Sequence, residues 1–349
     1  GGNTAVGLNS LLSTTTGANN TAVGCGSLQA NTTGAGNVAV GALAGDALTS
    51  GHSHVALGFC ALTTATTGEG NTALGNGALK LTTTPNDNTA VGRRALCNNT
   101  TGANNVSVGA YSLCCNTTGA VNTGIGMGAL NFNTTGGSNT AVGQGALYTN
   151  TTAGDNVAVG RESLYKNTTG DGNVAVGHDA GYCNTTGSCN VTIGMEAGHN
   201  VTTANGNTFV GRTAGCNAVS GNNNVAIGQS AGIDAVKNIT GSETHQLVLG
   251  SNSLANAFMK VSFTVTSDLR DKTEIEEYRF MVSREDPVGT GNKKYGFSAQ
   301  ELLELEGENN VIIDNHDPEN LKLTELHLLP VLVNAIQELT KKIKDLEDK

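Results

Sequence analysis

The chain has 349 residues and a net charge of −10, with no Trp, 4% aromatic residues and 48 glycines. So few large apolar side chains exclude a conventional globular core and favour a repetitive solenoid. The acidic balance leaves no electrostatic footprint for nucleic acid, and no apolar run approaches the ~18 residues that a membrane span needs. We therefore expect neither nucleic-acid binding nor membrane insertion.

Residues 1–250 carry a motif, Asn-Thr/Val-Ala-Val-Gly, that returns with a fixed 17-residue period, as at Asn3, Asn20 and Asn37. Fourteen copies begin at positions from Asn3 to Asn224, and His54 replaces the Asn in one of them. We number the coil positions 1–17 from this Asn. Position 4 is always Val, Leu or Ile, position 5 is Gly, position 8 is Ala or Ser, and an Asn-Thr-Thr-Gly group recurs near the end. The array begins in mid-repeat, so we expect the chain to be part of a longer one.

A β-branched run closed by Gly is typical of a short strand that enters a tight turn. Each repeat unit is therefore predicted to be one coil of a parallel β-solenoid, stacked strand on strand. We expect the aliphatic side chain of position 4 to point inward, and position 8 to lie where only Ala or Ser fits. The Gly of Asn-Thr-Thr-Gly is expected to supply a positive φ in the second turn.

This array resembles the head repeats of trimeric autotransporter adhesins, in which a Val-Ala-Ile-Gly strand recurs. The resemblance implies a homotrimer of β-rolls that wind side by side. The last copy begins at Gln246, later than Gly241, where the period would place it. We interpret the extra residues, around 233–244, as a cap on the array, although a receptor-contacting loop is the alternative. Residues 251–266 are predicted to be a closing strand or linker.

Composition changes sharply at 266–272, and residues 267–349 hold 11 of the 19 basic and 19 of the 29 acidic residues. This marks a domain boundary. The segment begins with a Ser-Asp-x-Arg-x-Lys pattern and contains a second block, Gly-Phe-x-Ala-Gln-Glu, formed by Gly296, Phe297, Ala299, Gln300 and Glu301. Both patterns, and a final Ala-Ile-Gln-Glu-Leu at 335–339, resemble the peptidase S74 intramolecular chaperone of phage tail fibres and tail spikes. The resemblance implies a small α+β chaperone domain, and a seam of Leu and Ile residues from Leu329 onward predicts a terminal coiled-coil helix.

The S74 resemblance also implies a chemistry, self-cleavage between Thr266 and Ser267 after trimer assembly. Ser267 would be the nucleophile and Lys272 its base in a Ser-Lys dyad, which requires a desolvated, neutral lysine. Asp268 and Arg270 would support the turn. The enzymatic activity is at most this single turnover. The alternative is a retained chaperone that does not cut, since the segment 273–295 between Lys272 and the Gly-Phe block is shorter than we expect of the family.

The function that these features indicate is the structural and host-adhesion segment of a viral tail fibre, carried on the virion and assembled in host cytoplasm. Its expected partners are two further copies of the chain and a host receptor, either a glycan or a surface protein. A bacterial trimeric surface adhesin, or a tail spike with an upstream glycan depolymerase, are the alternatives. No cofactor or metal site is expected. Cys97 and Cys114 share one coil position, and we expect free thiols there rather than a disulfide, because the cytoplasm is reducing.

Overall fold

The computed structural model describes residues 1–84, 86–233, 238–239 and 241–251, together with two short strands at 313–314 and 322–323. By its contacts the chain divides into two units, Gly1–Leu254 and Ala255–Lys349. The first unit contains the whole repeat array. The predicted closing strand and terminal coiled-coil helix lie outside the described residues, and the domain boundary at 266–272 remains a prediction.

Fifteen strands of three residues each form one sheet, in which every neighbour is parallel and follows in sequence order. Each strand occupies coil positions 2–4. The strands are β1 Thr4–Val6, β2 Thr21–Val23, β3 Val38–Val40, β4 Val55–Leu57, β5 Thr72–Leu74, β6 Thr89–Val91, β7 Val106–Val108, β8 Thr123–Ile125, β9 Thr140–Val142, β10 Val157–Val159, β11 Val174–Val176, β12 Val191–Ile193, β13 Thr208–Val210, β14 Val225–Ile227 and β15 Leu247–Leu249.

Stacking is in register, because each strand residue pairs with its counterpart in the next coil, as in Val157 with Val174 and Val159 with Val176. The predicted parallel β-solenoid of 17-residue coils is therefore confirmed. The irregular last coil keeps the register, since Val225 pairs with Leu247 across the insertion. Within the described residues there is no α-helix. Outside the solenoid, β16 (Ile313–Asp314) and β17 (Lys322–Leu323) form an antiparallel pair.

The interior is lined by coil position 3, so the expectation that position 4 points inward was wrong. In β3, Ala39 is buried whereas Val38 and Val40, on either side of it, are not. Successive side chains of a strand point to opposite faces, so one inward residue puts both of its neighbours outward. The interior side of the sheet thus carries Ala at most coils, and the larger aliphatic side chains cover its outer side.

The opposite wall of the interior comes from positions 8 and 9. The prediction that position 8 is confined to small residues is confirmed, since Ser27 and Ala44 are fully buried. Leu at position 9 fills the core from a left-handed backbone conformation, with φ of 49° at Leu28. Where Gly45 replaces this leucine, the space is filled by the buried Leu48 of position 12, which lies later in the same coil.

Glycine has two different roles in the coil. At position 5 it has a positive φ, +136° at Gly24, and a Cβ there would lie 2.6 Å from the backbone of Gly41 in the next coil. At position 15, the Gly of Asn-Thr-Thr-Gly, the predicted positive φ was wrong. Gly17 is required there by space instead, because a Cβ would lie 2.5 Å from the carbonyl oxygen of Gly34.

The insertion in the last coil closes part of the core. Ile239 is buried in the same core cluster as Ala226, and both side chains lie close to Gly232 of the same coil. An antiparallel bridge between Ile233 and Asn238 turns the chain back at this point. A buried isoleucine in this atypical coil fits the predicted cap on the array.

Candidate functional surfaces of the solenoid

The residues predicted for chemistry lie outside the described part of the chain, so their arrangement remains a prediction. This holds for the dyad, for its supporting residues and for the chaperone block: Thr266, Ser267, Asp268, Arg270, Lys272, Gly296, Phe297, Ala299, Gln300 and Glu301. What the structure positions is the solenoid, with two buried amide ladders, an apolar sheet face and a recess on its flank.

Position 1 forms a buried ladder of amides that fixes each coil to the next. The Nδ2 of Asn20 donates to the carbonyl oxygen of Gly34, 2.8 Å away, and so closes its own coil. Its Oδ1 accepts from the backbone N–H of Asn37 in the next coil, at 2.9 Å. Both ends of this amide therefore have a partner, which buried polar groups require. The recurring Asn is thus a structural residue, although the repeat pattern alone assigned it no role.

His54 reproduces these bonds with an imidazole ring. Its Nε2 lies 2.6 Å from the carbonyl oxygen of Gly68, and its Nδ1 lies 3.2 Å from the backbone nitrogen of Asn71. Because an N–H faces Nδ1 and a carbonyl faces Nε2, the ring must be neutral and protonated on Nε2. Burial lowers the pKa of His54, opposed by the hydrogen bonds to Gly68 and Asn71 and by the charge of Glu69.

This histidine should make the array acid-sensitive. The folded state binds the proton of His54 less well than the unfolded chain does, so stability falls as the pH drops below the unfolded pKa of about 6.5 and towards the lowered folded value. We expect His54→Asn, which restores the residue of the other coils, to flatten the loss of thermal stability between neutral and mildly acidic pH. Melting curves recorded by circular dichroism across this range test it. The reciprocal Asn139→His should introduce the same dependence in another coil, and equal curves for all three proteins would contradict the assignment.

A second buried ladder runs through position 12. Asn133 donates from Nδ2 to the Oδ1 of Asn116 at 2.8 Å and to the carbonyl oxygen of Gly136 at 2.9 Å. The ladder needs Asn in the next coil to satisfy each acceptor. Asn31 and Asn184 are followed by Leu48 and Val201, and in both cases the buried Oδ1 has no partner. An orphaned acceptor therefore marks Asn184, where the ladder ends, and Asn31, which stands alone at this position.

The outer side of the sheet carries a continuous apolar surface, which we call the aliphatic face. It consists of the position-4 side chains of β1 to β15, none of which is buried, flanked by position 2, which is Thr or Val except for Leu247 in β15. Val176 and Ile193, for example, are 37% and 38% exposed. Exposed apolar patches of this extent on a soluble protein mark interaction surfaces. The sequence pattern identified these residues, but we expected them to line the interior.

One flank carries a column of stacked rings at position 10. The ring centroids of Tyr148 and Tyr165 lie 5.0 Å apart with planes 2° from parallel. Tyr182 continues the stack at 5.2 Å, and His199 follows at the same spacing. Beside this column is a recess of about 490 Å³, which Tyr148 and Tyr165 line. The aromatic column was not found from the sequence, although its 17-residue spacing was visible there.

Three of the eight cysteines, Cys97, Cys114 and Cys115, lie close together at positions 10 and 11 of adjacent coils, and all eight are free thiols in the structure. A hydrogen bond from Cys114 lowers the pKa of the Cys97 thiol to about 6, against its burial and with help from Arg94 and Lys80. The same pairing, with burial, raises the pKa of Cys114. The two thiols are therefore neighbours in adjacent coils, as their common repeat position predicted.

Among the described residues, no three His, Cys, Asp or Glu side chains are grouped so as to hold a metal ion. A search of those same residues found no helix long and apolar enough to cross a membrane. Comparison of the chain with protein-family models, with curated proteins and with solved structures found no match.

Proposed function

We propose that this chain is the structural and host-adhesion segment of a viral tail fibre, a homotrimer whose C-terminal domain aligns the three chains and then releases itself. The observation that supports it best is the aliphatic face. A solvent-exposed column of Val, Leu and Ile that follows the whole sheet is costly for a monomer and is explained by a partner that covers it.

The partner should be another copy of the same chain. The aliphatic face repeats one row per coil, at the ~4.8 Å spacing of stacked strands, over the length of the array. A partner that packs row by row must present the same period over the same length. A second copy does so by construction, and an interface built from identical chains closes by symmetry. The number of chains is taken from the resemblance to trimeric adhesin heads.

Negatively charged residues on the aliphatic face should dissociate the trimer. We expect the double variant Val176→Asp/Ile193→Asp to sediment as a monomer where the wild-type chain sediments as a trimer, because a carboxylate buried without a partner costs several kcal/mol. Analytical ultracentrifugation measures this directly, and circular dichroism reports whether the solenoid is retained.

The matched control is Val121→Asp, which puts the same charge on an exposed valine at position 17, away from the strands. Asp87 and Asp155 occupy that position in other coils, so the change is tolerated by the fold. Val121→Asp should therefore remain trimeric. A wild-type chain that is monomeric at all concentrations, or a double variant that still forms trimers, would refute the assembly.

The self-release that we propose follows the chemistry of a Ser-Lys dyad. Neutral Lys272 takes the hydroxyl proton of Ser267, the serine oxygen attacks the carbonyl carbon of Thr266, and the amide nitrogen of Ser267 leaves with a proton as the new amine. Water then hydrolyses the ester and separates the two fragments. A register-setting domain suits this array, because chains of near-identical coils can pair out of register by one or more whole coils at little energetic cost.

A further inference from the structure

The recess on the flank of the solenoid exists because two consecutive coils lack a side chain at position 7. Gly128 and Gly145 form its floor, and the same position holds Tyr111 before them and Glu162 after them. Tyr111 and Glu162 are three coils apart, or roughly 14 Å at the ~4.8 Å spacing of stacked strands. At about 490 Å³ the recess falls within the range of small-molecule binding sites.

One wall of the recess is a rigid aromatic surface. Tyr148 and Tyr165 stack on each other, and Phe132 meets Tyr148 edge-on with centroids 5.2 Å apart. Each stacked pair contributes about 0.5–1.5 kcal/mol beyond its burial. The rings are therefore held in place before any ligand arrives, which reduces the entropy lost on binding. Tyrosine also combines an apolar ring with a polar tip.

The remaining groups in the recess are planar and polar. Asn131 is fixed by a hydrogen bond from its Nδ2 to the carbonyl oxygen of Tyr111 at 2.9 Å. Glu162 has an ion pair of 3.7 Å with Arg161. The amide of Gln144 is exposed and makes no hydrogen bond within the described coils. An amide and a carboxylate in one recess offer both donors and acceptors to a ligand.

We propose that this recess binds a neutral oligosaccharide lying along the solenoid axis. A pyranose ring has an apolar C–H face that packs on aromatic rings and a rim of hydroxyls that both donate and accept. The recess presents the complementary pair of surfaces, tyrosine rings on one wall and amide and carboxylate groups around them. This inference rests on the proposed adhesive function, for which it specifies the receptor as a glycan and locates its site.

Other ligand classes fit the recess less well. No lysine, arginine or histidine lines it, so phosphate, sulfate and nucleic acid have no cationic partner there. Recognition of an extended peptide by strand addition needs a free sheet edge. The recess instead lies at positions 6–10, beyond the strands of its coils, and β8 to β10 are each paired on both sides.

The test is binding of the full chain to an array of neutral and acidic oligosaccharides, followed by calorimetric titration with the neutral sugar that binds best. Gly128→Leu should fill the floor and weaken binding about tenfold or more, equivalent to ~1.4 kcal/mol. Position 7 accepts leucine in this fold, since Leu43 occupies it with a φ of 57°. Tyr148→Ala should weaken binding by a similar factor.

Each variant has a counterpart outside the recess. Gly77→Leu makes the same change at position 7 of another coil, and Phe59→Ala removes an exposed aromatic ring from a coil outside the recess. Both controls should bind as the wild type does. Absence of binding to any neutral oligosaccharide, or equal binding by Gly128→Leu and Gly77→Leu, would overturn the site. The outcome is separable from assembly: a monomer that binds sugar would refute the trimer alone, and a fibre that still adheres after Gly128→Leu would refute only the recess.

Discussion

Replacing Gly109 by alanine should destabilise the solenoid by about 2–6 kcal/mol and open it locally. Gly109 directly follows β7 and has a φ of +132°, where an L-residue is strongly disfavoured. An added Cβ would also lie 2.5 Å from the carbonyl oxygen of Gly126, which is backbone and cannot rotate away. Strained φ and overpacking each cost about 1–3 kcal/mol, and here they coincide.

Gly172→Ala separates the two causes. Its φ of +65° is also positive, but the nearest atom to an added Cβ is the Sγ of Cys189 at 3.7 Å, an ordinary contact. Only the backbone cost of about 1–2 kcal/mol should remain. Repeat arrays do not unfold as one unit, so melting temperature should be combined with limited proteolysis. New cleavage sites near β7 and β8 are expected for Gly109→Ala. Equal stability of the two variants would show that contact between coils is not what requires glycine at position 5.

The repeat alone was sufficient to predict the coil, the parallel stacking and the register. A fixed 17-residue period over the array leaves few other architectures. Position 8 was also predictable, because a position restricted to Ala and Ser, such as Ser27 or Ala44, signals tight packing. These features depend on periodicity and residue size, both of which a sequence displays directly.

Which side chains of each strand face the interior was not predictable by the same reasoning. Placing Val40 inside and Ala39 outside follows the usual rule that larger apolar residues are buried. The rule fails here because the interior is a narrow space between one strand and the turn that carries Leu28, and alanine is sufficient to fill it. The aliphatic residues then lie on the outer side. The rule would apply again if partner chains cover that side, which is the assembly proposed.

The two amide ladders and the recess depend on contacts between coils. Recurrence of Asn at positions 1 and 12 was visible, but its meaning required the Oδ1 of Asn20 to lie within hydrogen-bonding distance of Asn37. Likewise, Gly128 and Gly145 are ordinary glycines until stacking brings them together between Tyr111 and Glu162. A useful signal was available: position 7 varies widely in size along the array, and these are its only two consecutive glycines.

The full chain should separate into two fragments between Thr266 and Ser267 once trimers have formed, and Ser267→Ala should abolish this separation. Alanine has no hydroxyl, so no ester can form, and the effect is complete rather than graded. Lys272→Ala removes the base and should likewise leave the chain intact. Intact-mass spectrometry of the purified proteins identifies the cut to the residue.

Lys272→Arg is the informative control, because it keeps the positive charge but cannot act as a base at any accessible pH. It should assemble as the wild type does and remain whole. Cleavage should also depend on assembly, because desolvation on trimer formation is what would make Lys272 neutral. The trimer-breaking variant Val176→Asp/Ile193→Asp should therefore cut slowly or not at all. A wild-type chain that trimerises and stays intact would refute the dyad, and residues 267–349 would then be a retained register-setting domain.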